Sequence, residues 1–141
     1  MSRSIRLSLL AFSIVLSGCA TEAVLPHVAK SVPAARISSG KYLSPTEEVA
    51  QLTFVRDSGL YGVGVTIYLF IDGEEIAGFR PEEKLIIYLP KGEYLLGVQS
   101  KSNFGIEQFI ETPIRIDASK NYGFRISIDY NKAVVQRTSS F

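Results

Sequence analysis

Val65-Thr66-Ile67-Tyr68-Leu69-Phe70-Ile71-Asp72-Gly73 is the stretch that decides the fold. Aliphatic side chains alternate along it with Thr66, Tyr68 and Phe70. Alternation with a period of two places one set on each face of a β-strand. A strand that is apolar on both faces usually lies in the centre of a sheet or under a cover. The Asp-Gly pair at its end favours a type I′ turn, which needs positive φ at both central residues, so we predict a β-hairpin here.

Short β-rich runs continue on both sides of this hairpin, and turn residues separate them at intervals of roughly ten residues. Pro113 interrupts one run, which favours an edge strand or a bulge because proline cannot donate a hydrogen bond to the ladder. We therefore predict an all-β chain with a single β-sandwich of about seven or eight strands over residues 49–141. The further strands are expected at Val49–Arg56, Glu75–Phe79, Leu85–Leu89, Tyr94–Gln99, Ile106–Asp117, Tyr122–Tyr130 and Ala133–Thr138.

Residues 1–18 have the composition of a cleaved secretory leader. Arg3 and Arg6 precede the apolar stretch Leu7–Leu16, and the small residues Ser17 and Gly18 follow it. A charged start, a short apolar middle and a small-residue exit are typical of a signal peptide. The apolar stretch is too short to span a bilayer, because a helix needs about 20 apolar residues to cross the hydrocarbon core. We predict a helical signal peptide that is removed from the mature protein.

Leu16-Ser17-Gly18-Cys19 resembles the bacterial lipobox, and Cys19 is the only cysteine in the chain. The resemblance implies attachment of lipid to the Cys19 sulfur, cleavage before Cys19 and acylation of the new amino terminus, with palmitate as a typical chain. A thiol suits this step because its thiolate is a strong nucleophile. Ala20 stands where an aspartate retains Gram-negative lipoproteins in the inner membrane, which implies the outer membrane, with the domain facing the periplasm. The alternative is an unmodified cysteine at the end of an ordinary signal peptide.

Residues 19–48 are predicted to form a flexible, lipidated tether between the anchor and the domain. Three prolines and Gly40 interrupt this segment, and no regular hydrophobic period runs through it. Such segments commonly join an anchor to a folded domain. His27 is the only histidine and has no neighbours at ligand spacing, so no metal is expected. The only group that we expect the chain to carry is the covalent lipid on Cys19.

Three segments follow one another in a recognisable order: Phe54–Gly59 (FVRDSG), Ile67–Gly73 (IYLFIDG) and Leu89–Tyr94 (LPKGEY). The first segment is a strand that ends in arginine and is followed by a glycine-containing loop. The second is a strand that ends in Asp-Gly. In the third, a Pro-x-Gly turn leads into a strand that begins with an aromatic residue. This order is similar to PEGA-type domains and to a family of bacterial lipoproteins of unknown function, over residues 49–100. The resemblance implies an Ig-like or prealbumin-like sandwich at the cell envelope, and it carries no catalytic residues.

Charge and composition narrow the classes of function. The chain has 15 basic and 14 acidic side chains, and this near-neutral balance lacks the excess of positive charge that is typical of nucleic-acid-binding domains. The leading hypothesis is a non-enzymatic interaction or structural module that contacts an envelope protein or the cell wall. The alternative is a small envelope enzyme acting on glycans, which would need two carboxylates about 5 to 10 Å apart across a cleft. The acidic pairs Glu74-Glu75 and Glu82-Glu83 fall in turn-like connections, where solvated charge is the ordinary explanation.

Two loops supply candidate residues for an interaction surface, because exposed arginine and aromatic side chains are the usual anchors of protein interfaces. The alternative is that Arg56 and Asp57 pair with each other and that Tyr61 covers the core. Tyr68 and Phe70 are expected to pack under a neighbouring strand or the tether, or else to form an exposed apolar patch. The candidate interaction residues are Arg56, Asp57, Ser58, Tyr61 and Phe104.

Overall fold

The computed structural model describes residues 21–59, 62–101, 108–129, 132–139 and 141. Within these ranges the chain is an all-β sandwich, which confirms the predicted fold class, and a single 3-10 turn lies at Ala34–Arg36. The strands are β1 (Lys30–Ser31), β2 (Val49–Arg56), β3 (Thr66–Ile71), β4 (Glu74–Phe79), β5 (Glu83–Pro90), β6 (Gly92–Lys101), β7 (Gln108–Ile116), β8 (Asn121–Asp129) and β9 (Lys132–Thr138). In the described stretches, no helix has the length and apolar character needed to cross a membrane.

The strands form two sheets, one ordered β1-β5-β2-β8-β9 and the other β4-β3-β6-β7. The β3–β4 hairpin turns at Asp72 and Gly73, whose φ values of 49° and 78° are both positive, as the sequence predicts. β3 lies between β4 and β6, which confirms the prediction of a central strand. β7, which contains Pro113, lies at the edge of its sheet, where a missing amide proton is tolerated.

Two pairings in the five-stranded sheet are parallel rather than antiparallel: β1 with β5, and β2 with β8. β2 runs parallel to β8, with Gln51 opposite Asn121 and Arg56 opposite Ile126. Because these strands are far apart in sequence, no turn signal predicts that they are neighbours. The pairing brings the end of β2 beside the middle of β8.

The core lies between the two sheets and is aliphatic with a pair of stacked aromatic rings. Phe54 and Phe124, on the neighbouring strands β2 and β8, stack with their ring centroids 4.9 Å apart. Burying a large apolar side chain contributes about 1.5–3 kcal/mol, so this layer supplies most of the driving force for folding. The fully buried side chains of the core include Leu52, Phe54, Ile67, Leu69, Ile71, Phe79, Ile87 and Ile126.

The predicted flexible tether over 19–48 is corrected for residues 22–43, which are here called the strap. β1 within the strap pairs in parallel with β5, Ile37 forms a bridge to Ala77 of β4, and Val32 is buried. The strap therefore belongs to the folded domain, which begins well before residue 49. Its contacts are isolated rather than periodic, so a search for repeating hydrophobicity does not detect them.

The strap makes the two long sides of the sandwich different. It crosses from β5 in one sheet to β4 in the other and covers the gap between them, here called the closed side. On the opposite side, β9 packs against β6 and β7 without a comparable segment among the described residues. The gap between β7 and β9 is here called the open side.

Candidate functional site

Arg56 is the last residue of β2, and its side chain is 2% exposed. Its guanidinium donates hydrogen bonds to the carbonyl oxygens of Val65 (2.6 Å), Phe79 (2.7 Å) and Gly62 (2.9 Å). Burial lowers the pKa of Arg56 to about 10, because desolvation disfavours the charged form. The prediction that Arg56 lies on an interaction surface is therefore corrected: it joins β2 to β4 of the other sheet and to the chain that enters β3.

Asp57 is also buried, at 3% exposure, and its partner is Arg125 of β8. Arg125 donates from Nε (3.1 Å) and from a terminal nitrogen (2.5 Å), a bidentate pair that raises the pKa of the guanidinium. The alternative that Arg56 and Asp57 pair with each other is therefore wrong as well. The parallel β2–β8 register places Arg125 opposite Val55, which explains why sequence spacing does not reveal the pair.

Ser58 is half-buried and holds the beginning of the strap. Its backbone exchanges two hydrogen bonds with Glu22, at 2.9 and 3.0 Å. Arg56, Asp57 and Ser58 thus lie together, in structural contacts rather than on an exposed loop. Tyr61, Phe104 and Cys19 lie outside the described residues.

Of the acidic residues that the glycan hypothesis would use, all but the exposed Glu82 pair through their side chains with the strap. Arg36 pairs with Glu83 of β5 and also donates to the Gly78 carbonyl of β4 at 2.8 Å, so one side chain joins the strap to both sheets. Burial acts to raise the pKa of Glu83, but hydrogen bonds from Arg36 and from the Arg80 amide outweigh it and lower that pKa. Within the described part of the chain, no group of three His, Cys, Asp or Glu residues could hold a metal ion.

Glu74 and Glu75, at the start of β4, also face strap residues. Ser39 donates to Glu74 at 2.6 Å, and Ser38 donates to Glu75 at 2.5 Å. Lys41 of the strap adds an exposed ion pair to Glu74, at 3.3 Å. These contacts favour the structural interpretation of the acidic pair over the catalytic one.

The outer surface of the four-stranded sheet carries three apolar side chains, here called the aromatic face: the exposed Leu95 and Phe109 and the half-buried Phe70. The ring of Phe109 meets the ring of Phe70 edge-on at 5.1 Å, with Gly97 between their strands. A Cβ on Gly97 would lie 3.0 Å from the Phe109 ring, so the absence of a side chain permits the contact. Leu95 is 44% exposed and Phe109 46% exposed.

Tyr68 and Phe70 lie on the outward side of β3. Tyr68 is half-buried under Lys101, whose ammonium lies 4.4 Å from the ring centroid. Leu95 and Phe109 were not singled out from the sequence, although both occupy outward positions of alternating strands. That alternation is the signal that could have found them.

No protein-family model, curated protein or solved structure matches the chain. By its fold, the protein is a two-sheet all-β domain in which an N-terminal strap is part of the folded structure.

Proposed function

We propose that this protein is an envelope lipoprotein, anchored by lipid on Cys19 to the outer membrane, whose sandwich is a non-enzymatic interaction module. The anchor is supported by the leader pattern of residues 1–18 and by the single cysteine at its end. Two or more acyl chains hold a protein stably at a bilayer, whereas one holds it only marginally.

The proposal of an interaction module rests on the aromatic face. Phe109 and Leu95 expose nearly half of their surface on a sheet face that the strap does not cover. Clustered exposed apolar side chains mark interaction sites, and aromatic anchors dominate the binding energy of protein interfaces. Lys101 and Glu111 lie on the same sheet face and supply charges of both signs at its rim. An apolar centre with a mixed polar rim matches a protein partner, which we place in the envelope.

The anchor is tested by labelling cells with radioactive palmitate. We expect the full chain to take up label and to sediment with membranes, and Cys19→Ala to do neither. Unlabelled wild-type protein, or a Cys19→Ala variant that is still labelled, would refute the lipoprotein assignment.

The interaction surface is tested by crosslinking intact cells that produce the full chain. We expect one dominant crosslinked protein, reduced at least about tenfold in the double variant Leu95→Ala, Phe109→Ala, because hot-spot truncations each cost more than about 1 kcal/mol. Ile86→Ala is the matched control, since Ile86 is an exposed aliphatic residue (36%) on the other sheet. Equal crosslinking by the double variant and the control would contradict the proposal. Retention on purified cell wall, lost in the double variant, would replace the protein partner by a wall partner.

A further inference from the structure

A cavity of about 360 Å³ lies on the open side of the sandwich, between β7 and β9. Ligand pockets in proteins measure about 300–1,000 Å³, so the volume is sufficient for a small ligand. The strap covers the corresponding gap on the closed side. The core is therefore sealed along one side and accessible along the other.

The walls of this cavity are apolar. Leu96, Ile116 and Phe124 are buried at its base, and Ile114 and Val135 are half-buried nearer the surface. Ile114 and Ile116 alternate on β7, so the inward face of this edge strand lines the cavity. Such walls favour a hydrocarbon chain over a polar ligand.

The mouth of the cavity is cationic. The guanidinium of Arg137 lies over the ring of Tyr122, 4.6 Å from its centroid, and Arg115 lines the opposite edge. The nearby Asp117 is paired with Lys120 at 2.8 Å. Among the described residues, no carboxylate lies within ion-pair distance of Arg115 or Arg137. Arg137 therefore supplies a positive charge at the entrance that is available to an anion. Arg115, in contrast, lies opposite Glu93 in the β6–β7 pair and acts electrostatically on Asp117.

We propose that this cavity binds a single acyl chain that carries an anionic head group. The chain would occupy the apolar space between β7 and β9, and the head group would meet Arg137 at the mouth. Arginine suits this role because its planar fork binds carboxylate or phosphate oxygens in pairs. The proposal concerns the open side alone and does not depend on the lipid anchor or on the aromatic face.

The test uses the full chain carrying Cys19→Ala, which cannot take a lipid and needs no detergent. Binding is measured by displacement of a fluorescent fatty acid below its critical micelle concentration. Palmitate should displace the probe at concentrations at least tenfold lower than hexadecanol, which has the same chain without the charge. Butyrate, which keeps the carboxylate but not the chain, should not displace it. Lysophosphatidylglycerol with the same chain shows whether the natural head group is a phosphate or a carboxylate, and tighter binding of either supports the proposal.

Two variants locate the site. Arg137→Gln should weaken palmitate binding about tenfold and leave hexadecanol unchanged, whereas Val135→Phe should weaken both by filling the cavity. Arg80→Gln, an exposed arginine on the closed side, is the matched control and should change neither. Circular dichroism checks folding, and Thr112→Phe at the exposed mouth replaces Val135→Phe if that variant unfolds. Equal binding of palmitate and hexadecanol, unchanged binding in the cavity-filling variant, or no binding at all would overturn the proposal.

Discussion

Replacing Arg56 tests whether a buried cation stabilises this sandwich. Its guanidinium has three backbone acceptors, the carbonyl oxygens of Gly62, Val65 and Phe79. Arg56→Met keeps an unbranched side chain of similar reach but removes the charge and every donor. Arg56→Lys keeps the charge but lacks the planar fork, so it cannot reach all three carbonyl oxygens.

The loss of stability in these variants depends on two opposing effects, the hydrogen bonds of the guanidinium and the cost of its desolvation. A hydrogen bond to a charged group contributes about 1.5–3 kcal/mol, so three such bonds amount to about 4.5–9 kcal/mol. Lowering the pKa of Arg56 to about 10 corresponds to about 3 kcal/mol against the charged form. We expect the bonds to outweigh the desolvation, and the carbonyl oxygens of Val65 and Gly62 are only part-buried, so water can replace some of the lost bonds there. We therefore expect Arg56→Met to lose about 2–4 kcal/mol and Arg56→Lys to lose at least about 1 kcal/mol.

The assay is equilibrium urea unfolding followed by far-UV circular dichroism, because the chain has no tryptophan to report by fluorescence. A loss of this size is a large part of the 5–15 kcal/mol typical of a domain, so the midpoint should fall clearly at an unchanged slope. Arg80→Met makes the same exchange at an exposed position and should stay within about 0.5 kcal/mol of wild type. An Arg56→Met variant as stable as wild type would refute the reasoning, since desolvation would then cancel the three bonds.

Two further changes test the strap and the hairpin. Glu83→Gln should lose about 1–2 kcal/mol at pH 7, because it breaks a charge-assisted pair. The folded state lowers the pKa of Glu83, so its contribution is complete above the ordinary value near 4.5 and is lost as pH falls through the lowered pKa. Urea unfolding at pH 7 and at pH 3 should show the gap to wild type shrinking, and a pH-independent gap would contradict this. Gly73→Ala should lose about 1–2 kcal/mol in urea unfolding, since alanine is strained at a φ of 78° where nothing lies near its Cβ. Gly40→Ala, at an equally open site without positive φ, is the control, and equal losses in the two would count against backbone strain.

The local sequence pattern was sufficient to predict the strands and which of their side chains lie on each face. The alternation in Ile67–Ile71 predicts which side chains point inward, and Asp72-Gly73 predicts the hairpin that follows. These features depend on residues a few positions apart. The sequence likewise predicts an edge strand or a bulge at Pro113, because the lack of an amide proton is a property of the residue itself, and the structure shows the edge strand.

The partners of buried charges could not be derived in the same way. The sequence predicts Arg56 and Asp57 either as exposed interface residues, because they border a glycine-containing loop, or as a pair with each other. Their actual contacts depend on which strands lie side by side. The parallel pairing of β2 with β8 brings Arg125 to Asp57, and the packing of one sheet on the other brings the Phe79 carbonyl to Arg56.

The sequence by itself determined an all-β sandwich, its central hairpin and its aliphatic core, because a two-residue period and turn chemistry act over short distances. Only the tertiary structure decided that the strap belongs to the domain, that one side is sealed and that a cavity with a cationic mouth opens on the other. These features arise where segments far apart in the chain meet. They are stabilised by burial and by pairing between segments of the two sheets, and a local sequence pattern does not show which segments meet.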